Sequence, residues 1–130
     1  MNSSNSISLH LHARPDLARL VRMTAANVAM LSSMTVDRVE DLRMAAEEAF
    51  VYACATGLED AVRVEFSVSP EGLAMELGLG ASPVVEDERE PTLVYAAFLL
   101  EATCDECVIS DAPVRRMRLL KKIGGTDAER

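Results

Sequence analysis

Glu48 is the side chain of this sequence with the clearest potential for acid–base chemistry. It lies within residues 36–57, whose pattern predicts a long helix, and Tyr52 follows it by one helical turn. A carboxylate held beside a substrate hydroxyl and a positioned phosphate can act as a general base. Without such a substrate, Glu47 and Glu48 are the polar border of a helix. The pattern alone leaves both interpretations open.

Two further pairs of residues have spacings that can bind metal or support redox chemistry. Cys104 and Cys107 are separated by two residues, both of which are acidic. Acidic neighbours at a helix C-terminus raise the pKa of a thiol, so packed cysteines are favoured over a redox or metal site. His10 and His12 alternate on a predicted strand and could begin a metal site, but no other clear ligand accompanies them. Two exposed histidines are the alternative.

The length and composition of the chain are typical of one acidic domain. Its 130 residues are 49% hydrophobic and carry a net charge of −8. Aromatic residues make up only 4%, and a phosphate backbone would be repelled, so nucleic-acid binding is disfavoured and a basic protein partner is a better match. No apolar run approaches the roughly 18–20 residues of a membrane span, and three cysteines without framework spacing fit a reducing compartment. We therefore predict a cytoplasmic protein that binds no membrane.

The periodicity of the apolar residues predicts a strand, two helices, a hairpin, a loop, a third helix and two strands. The predicted domain spans residues 7–123, between a disordered N-terminus of residues 1–6 and a flexible tail of residues 124–130. In the central helix, Asp37 is the predicted N-cap residue. The residues of the first helix that we expect to face inward are Leu17, Leu20, Val21, Thr24, Val28 and Leu31.

The last predicted strand, Val114–Ile123, is rich in basic residues. We expect these residues on the exposed side and at the ends of an edge strand, where positive charge prevents aggregation. They are Arg115, Arg116, Arg118, Lys121 and Lys122. The order of elements as a whole predicts an α+β fold, a two-layer α/β sandwich in which three helices cover one face of a mostly antiparallel sheet.

Several stretches of this chain resemble a known family. They are Leu17–Leu20 on the first helix, Val39–Ala49 on the second, and Leu99–Ala102 with Cys104–Glu106 on the third. Together with the order of elements, they resemble the bacterial anti-sigma factors that are also serine kinases, within the superfamily of histidine-kinase-like ATPases. The resemblance covers nearly the whole predicted domain and implies a reduced form of that ATPase fold. The chain is most similar to divergent actinobacterial stress-response members.

In that family, the second helix holds a glutamate that acts as general base, and Glu48 matches it. The family's magnesium-binding asparagine is replaced here by Tyr52, whose phenol is a poor ligand for that cation. The family's D-x-G after the hairpin is replaced by Leu77–Ala81, and its paired glycines before the third helix fall near Val94 and Ala96. Three of the four nucleotide-binding elements are therefore missing, so neither ATP nor Mg²⁺ is an expected cofactor.

Protein binding is the family property that the sequence retains best. Arg19 matches an arginine that, in relatives, lies on the surface shared by the sigma factor and the antagonist. Arg22 follows on the same helix, and we expect both arginines to bind the partner. We expect an anti-sigma factor that sequesters a sigma factor, forms a homodimer through its sheet edge or first strand, and is released by a STAS-type antagonist. One alternative is an active ATP-dependent serine kinase that uses Glu48. Another is a small acidic dimeric chaperone, although the helix pair before the hairpin disfavours it.

Overall fold

The computed structural model describes residues 6–56, 60–79, 98–110 and 115–123. The predictions for the two tails, for the loop after the hairpin and for the start of the third helix lie outside these residues. None of the described helices is long and apolar enough to cross a membrane. The elements are β1 (Ser6–His12), a 3-10 turn (Pro15–Leu17), α1 (Ala18–Ala29), α2 (Val36–Thr56), β2 (Ala61–Ser69), β3 (Gly72–Gly78), α3 (98–103), β4 (Glu106–Ser110) and β5 (Arg116–Lys122).

The five strands form one sheet in the order β1-β2-β3-β5-β4, and every neighbouring pair is antiparallel. Among the described strands, β1 and β4 are therefore the edges. β2 and β3 form the predicted hairpin, which ends with Ser69 opposite Gly72. A glycine is needed at this position because a Cβ on Gly72 would collide with the backbone carbonyl oxygen of Lys121 on β5. The prediction of a mostly antiparallel sheet is confirmed.

The helices cover one face of the sheet, as the two-layer α+β prediction requires. Along β2, buried Val62, Val64 and Phe66 alternate with residues that are exposed or half-buried, which shows that only one face belongs to the core. α2 contributes Leu42 and Phe50 to that core. Small side chains let α1 and α2 approach each other closely. The buried alanines of the two helices are Ala18, Ala25, Ala29, Ala45, Ala46, Ala49 and Ala53.

The inward face of α1 differs from the predicted one. Val21 and Val28 are buried as expected, but Leu20 and Leu31 are exposed. The helix is rotated so that Ala18, Ala25 and Ala29 lie in the core, because a close contact between two helices favours small residues over leucine. The bulky residues are left on the outside, and this becomes important for the candidate site.

The start of α2 also differs from the prediction. The helix begins at Val36, and Thr35 rather than Asp37 is the capping residue. The hydroxyl oxygen of Thr35 accepts a hydrogen bond of 3.4 Å from the backbone N–H of Arg38, and its carbonyl oxygen accepts one from Val39. Asp37 instead lies in the first turn, where its negative charge favours the helix dipole.

The prediction that the basic strand is an edge strand is wrong. β5 lies between β3 and β4, and two of its basic residues are buried: Arg115, immediately before the strand, and Lys121, which is only 5% exposed. Arg118 and Lys122 are exposed as expected, and Arg116 is half-buried. The sequence could not reveal this placement because β4, which follows α3 and precedes β5 in the chain, pairs with the outer side of β5.

Candidate functional site

Glu48 and Tyr52 lie one turn apart on α2, on the flank that also carries Asp41. Glu48 is half-buried, and burial raises the pKa of its carboxyl above the usual range, with the negative charge of Glu47 as the second cause. The raised pKa makes Glu48 a stronger base than an ordinary glutamate. Tyr52 is 7% exposed and belongs to the hydrophobic core. A packed aromatic ring therefore occupies the position at which the resemblance calls for a metal ligand.

Asp41 takes part in an ionic contact that joins three elements. The ammonium of Lys121 on β5 lies 3.3 Å from a carboxylate oxygen of Asp41 and donates a hydrogen bond of 2.6 Å to the carbonyl oxygen of Thr103, at the end of α3. The basic pattern of the last strand predicts Lys121 in solvent, so the sequence does not reveal this contact. The contact fixes the last turn of α3 to α2 and to the sheet.

A second ion pair supports the same corner of the molecule. Arg38 on α2 lies 3.1 Å from a carboxylate oxygen of Asp105, the residue before β4, and donates to the carbonyl oxygen of Lys122. The same carboxylate oxygen of Asp105 accepts a 2.7 Å hydrogen bond from the backbone N–H of Lys122. Structural contacts therefore occupy the first half of this α2 flank, and Glu48 lies beyond them.

The cysteines are placed as packed residues rather than as nucleophiles. Burial raises the pKa of the Cys54 and Cys104 thiols to about 11. The pKa of the Cys107 thiol is also raised, mainly by burial and secondly by the negative charge of Glu101. A thiol with such a pKa is almost entirely protonated at neutral pH and reacts slowly. The described residues contain no group of three or more histidine, cysteine or acidic side chains placed to hold a metal ion.

The structure separates the two arginines that the sequence pairs as partner-binding residues. The guanidinium of Arg22 lies 2.9 Å from a carboxylate oxygen of Glu47, and both side chains are about one-third exposed. Its Nε atom is buried and has no hydrogen-bond partner among the described residues. Arg22 therefore joins α1 to α2, whereas Arg19 is exposed and forms no ion pair with the residues that the structure describes.

Arg19 borders an apolar patch that was not predicted. Four large apolar residues on α1 and in the turn after it are exposed, and Met30 reaches 74% exposure. We call this patch the outer α1 surface; it consists of Arg19, Leu20, Met23, Met30 and Leu31. α1 contains two arginines and no acid, although the chain as a whole has a net charge of −8. The only sequence signal for it is the alanine and valine spacing of the opposite face, which fits a helical period no better than the leucine spacing does.

The open face of the sheet, opposite the helices, is polar. One row crosses all five strands in the order Ser8, Glu65, Glu76, Arg118 and Val108. Ser8 donates a hydrogen bond of 3.1 Å to the carboxylate of Glu65. A shallow hollow on this face is lined by Ser6, Glu65, Ser67, Ala74, Glu76 and Arg118. Its two carboxylates have cationic neighbours within the sheet, so the hollow is a solvated polar surface rather than a catalytic cleft.

Comparison with known proteins adds no family assignment: the chain matches no known protein-family profile and no curated protein sequence. The resemblance to anti-sigma factors therefore rests on the residues and the order of elements described above.

Proposed function

We propose that this protein is an anti-sigma factor that works by stoichiometric protein binding, with the outer α1 surface as the site that holds the sigma factor. The observation that carries the proposal is the combination of Arg19 with the exposed apolar residues around it. A central apolar area with an arginine at its border is the composition found at many protein interfaces. In this proposal, a STAS-type antagonist competes for the same surface and releases the sigma factor. Such a regulator would act in the cytoplasm.

Two further observations support binding rather than catalysis. Tyr52 packs into the core at the position where the resemblance calls for a magnesium ligand. The order of helices and strands and the two-layer architecture agree with the fold that the resemblance implies, although many unrelated functions share such an architecture. In this proposal, the fold is retained as a scaffold that presents α1.

The test is a calorimetric titration of the purified protein with sigma factors of the host. We expect one of them to bind, and Arg19→Ala to weaken that binding by about 1 kcal/mol or more. The matched control is Arg63→Ala, which removes another exposed arginine, on the open face of the sheet. Its affinity should equal that of the unmodified protein.

Three results would contradict the proposal: no binding to any sigma factor of the host, an unchanged affinity of the Arg19→Ala variant, or equal losses from Arg19→Ala and Arg63→Ala. Adding a STAS-type antagonist to the preformed complex tests the release step. Displacement of the sigma factor is the expected outcome.

A second candidate function is ATP-dependent serine phosphorylation, favoured by the raised pKa of the Glu48 carboxyl. A general base works best when its pKa approaches the working pH, so the shift is in the useful direction. Titration with magnesium and ATP decides between the two functions. Binding heat together with phosphorylation that Glu48→Gln abolishes would support a kinase. Absence of heat and of a thermal shift at millimolar ATP would exclude it.

We also propose that the protein forms a homodimer through an edge of its sheet, since unpaired backbone groups on an edge strand are a template for pairing.

A further inference from the structure

The two described edges of the sheet differ in what they expose. On β1, the residues of the open face are Ser6, Ser8, His10 and His12, and the apolar residues between them are half-buried against the core. On β4, two consecutive apolar residues are exposed, Val108 at 55% and Ile109 at 42%. Because successive side chains of a strand point to opposite faces, β4 exposes an apolar residue on each face of the sheet.

β4 is protected only by its short length and by one charged residue, Glu106. Its sequence contains no lysine, arginine or proline, and its pairing with β5 runs without a bulge from Glu106 to Ser110. Natural edge strands are normally protected by such charges, prolines or bulges. β1 is equally free of lysine, arginine, proline and bulges, so the exposed Val108 and Ile109 are what distinguish β4 as the edge for another strand.

We infer that β4 is the edge through which two copies of this chain pair, antiparallel and with the two-fold axis at Val108. In this register, Val108 faces Val108 of the second copy, and Cys107 faces Ile109. Glu106 faces Ser110, so within residues 106–110 no like charges are opposed. Moving the axis by one residue in either direction would place Val108 opposite Glu106 or Ser110. The inference chooses the edge for the proposed homodimer and does not depend on binding of a sigma factor.

The pairing joins two five-stranded sheets into one of ten strands and keeps the helices of both copies on the same side. The contact is isologous, so it closes after two copies. A stable interface buries roughly 800 Å² per partner, and a strand of only five residues can bury much less than that. We therefore expect a dimer that dissociates on dilution. The outer α1 surface is not consumed in the pairing, since α1 contacts α2 and β2 at the other side of the sheet.

The cross-strand row on the open face supplies a matched pair of variants. Val108 and Ser8 lie at its two ends, on the two edge strands. In the Val108→Glu variant, the new carboxylate lies beside Arg118, which stabilises the folded monomer. In the dimer, the two-fold axis places this carboxylate opposite the same carboxylate of the second copy, and the two repel each other. In Ser8→Lys, the new ammonium lies beside Glu65 and places a charge on the β1 edge instead.

The test is sedimentation velocity of the full chain across a concentration series, with circular dichroism and thermal unfolding to verify the fold. We expect the unmodified protein and Ser8→Lys to dimerise with the same dissociation constant, and Val108→Glu to raise that constant by at least about tenfold. Mixing Val108→Glu with Val108→Arg should restore a dimer of one copy of each.

A monomer at every concentration, or dissociation caused by Ser8→Lys and not by Val108→Glu, would overturn the inference. Sigma-factor titrations of the same variants keep the two proposals separate. If Val108→Glu loses the dimer but binds the sigma factor as the unmodified protein does, the β4 contact is supported. A β4 dimer without any sigma binding removes the proposed function and leaves this contact standing.

Discussion

The buried cation on β5 allows a quantitative test of how the third helix is held to the domain. Replacing Lys121 by Met keeps most of the aliphatic side chain, so the packing of β5 against α2 is largely preserved. The substitution removes the ammonium, which donates a hydrogen bond of 2.6 Å to the carbonyl oxygen of Thr103 and lies 3.3 Å from a carboxylate oxygen of Asp41. The substitution therefore isolates the polar contribution.

The expected magnitude follows from the surroundings of the two partners. Thr103 is buried, so its carbonyl oxygen loses a charged donor without access to much water, which costs about 1–3 kcal/mol. Asp41 has a side chain that is 44% exposed, so its carboxylate is solvated after the change and adds little. We expect the free energy of unfolding to fall by about 2 kcal/mol and the midpoint of thermal unfolding to fall by roughly 6–8 °C.

Urea unfolding followed by circular dichroism measures this change, and Lys122→Met is the matched control. Lys122 is the next residue of the same strand, is exposed, and points to the open face. Its replacement should alter stability by less than about 0.5 kcal/mol. The reasoning is refuted if Lys121→Met is as stable as the unmodified protein, or if both lysine variants lose the same amount. Faster amide hydrogen exchange in residues 98–103 would identify α3 as the element that loosens.

Two further predictions concern the hairpin and α2. Gly72→Ala should lower the free energy of unfolding by about 2–3 kcal/mol in urea titrations, because its Cβ meets the backbone of β5. Gly78→Ala should be neutral or slightly stabilising, because no described atom beyond the chain neighbours lies within 4 Å of the added carbon. Glu48→Gln should raise the thermal unfolding midpoint at pH 7. The folded state raises the pKa of this carboxyl, so its ionisation opposes folding as pH rises above about 4.5. The gain in unfolding midpoint should therefore vanish below that pH. A gain that persists there would exclude ionisation as the cause.

Much of the secondary structure follows from local pattern. The alternation from Val62 to Leu77 predicts two strands of a hairpin, and the structure confirms it with Phe66 opposite Met75. The first strand and both long helices are also confirmed, with small shifts at their ends. These elements were predictable because each buries one face, and a period of 2 or 3.6 records which residues share that face.

The candidate site was predictable only in part. The sequence placed Arg19 on the solvent side of the first helix and Glu48 on the second, and the described structure agrees with both placements. It could not show that Arg22 binds Glu47, since this contact joins residues 25 positions apart on two helices. Nor could it show that Leu20 is exposed, because the leucine spacing and the alanine spacing of α1 fit a helical period equally well.

What the sequence by itself determined is the type and order of the elements and the acidic character of the chain. What only the tertiary structure decided is which strand lies at an edge, which side of α1 faces solvent, and which charges are buried. Lys121 shows the physical reason: a strand is central or peripheral according to its neighbours in the sheet, and β4 covers β5 through backbone hydrogen bonds that leave no trace in the local pattern. The same pairing that makes β5 central places Val108 and Ile109 of β4 at the exposed edge.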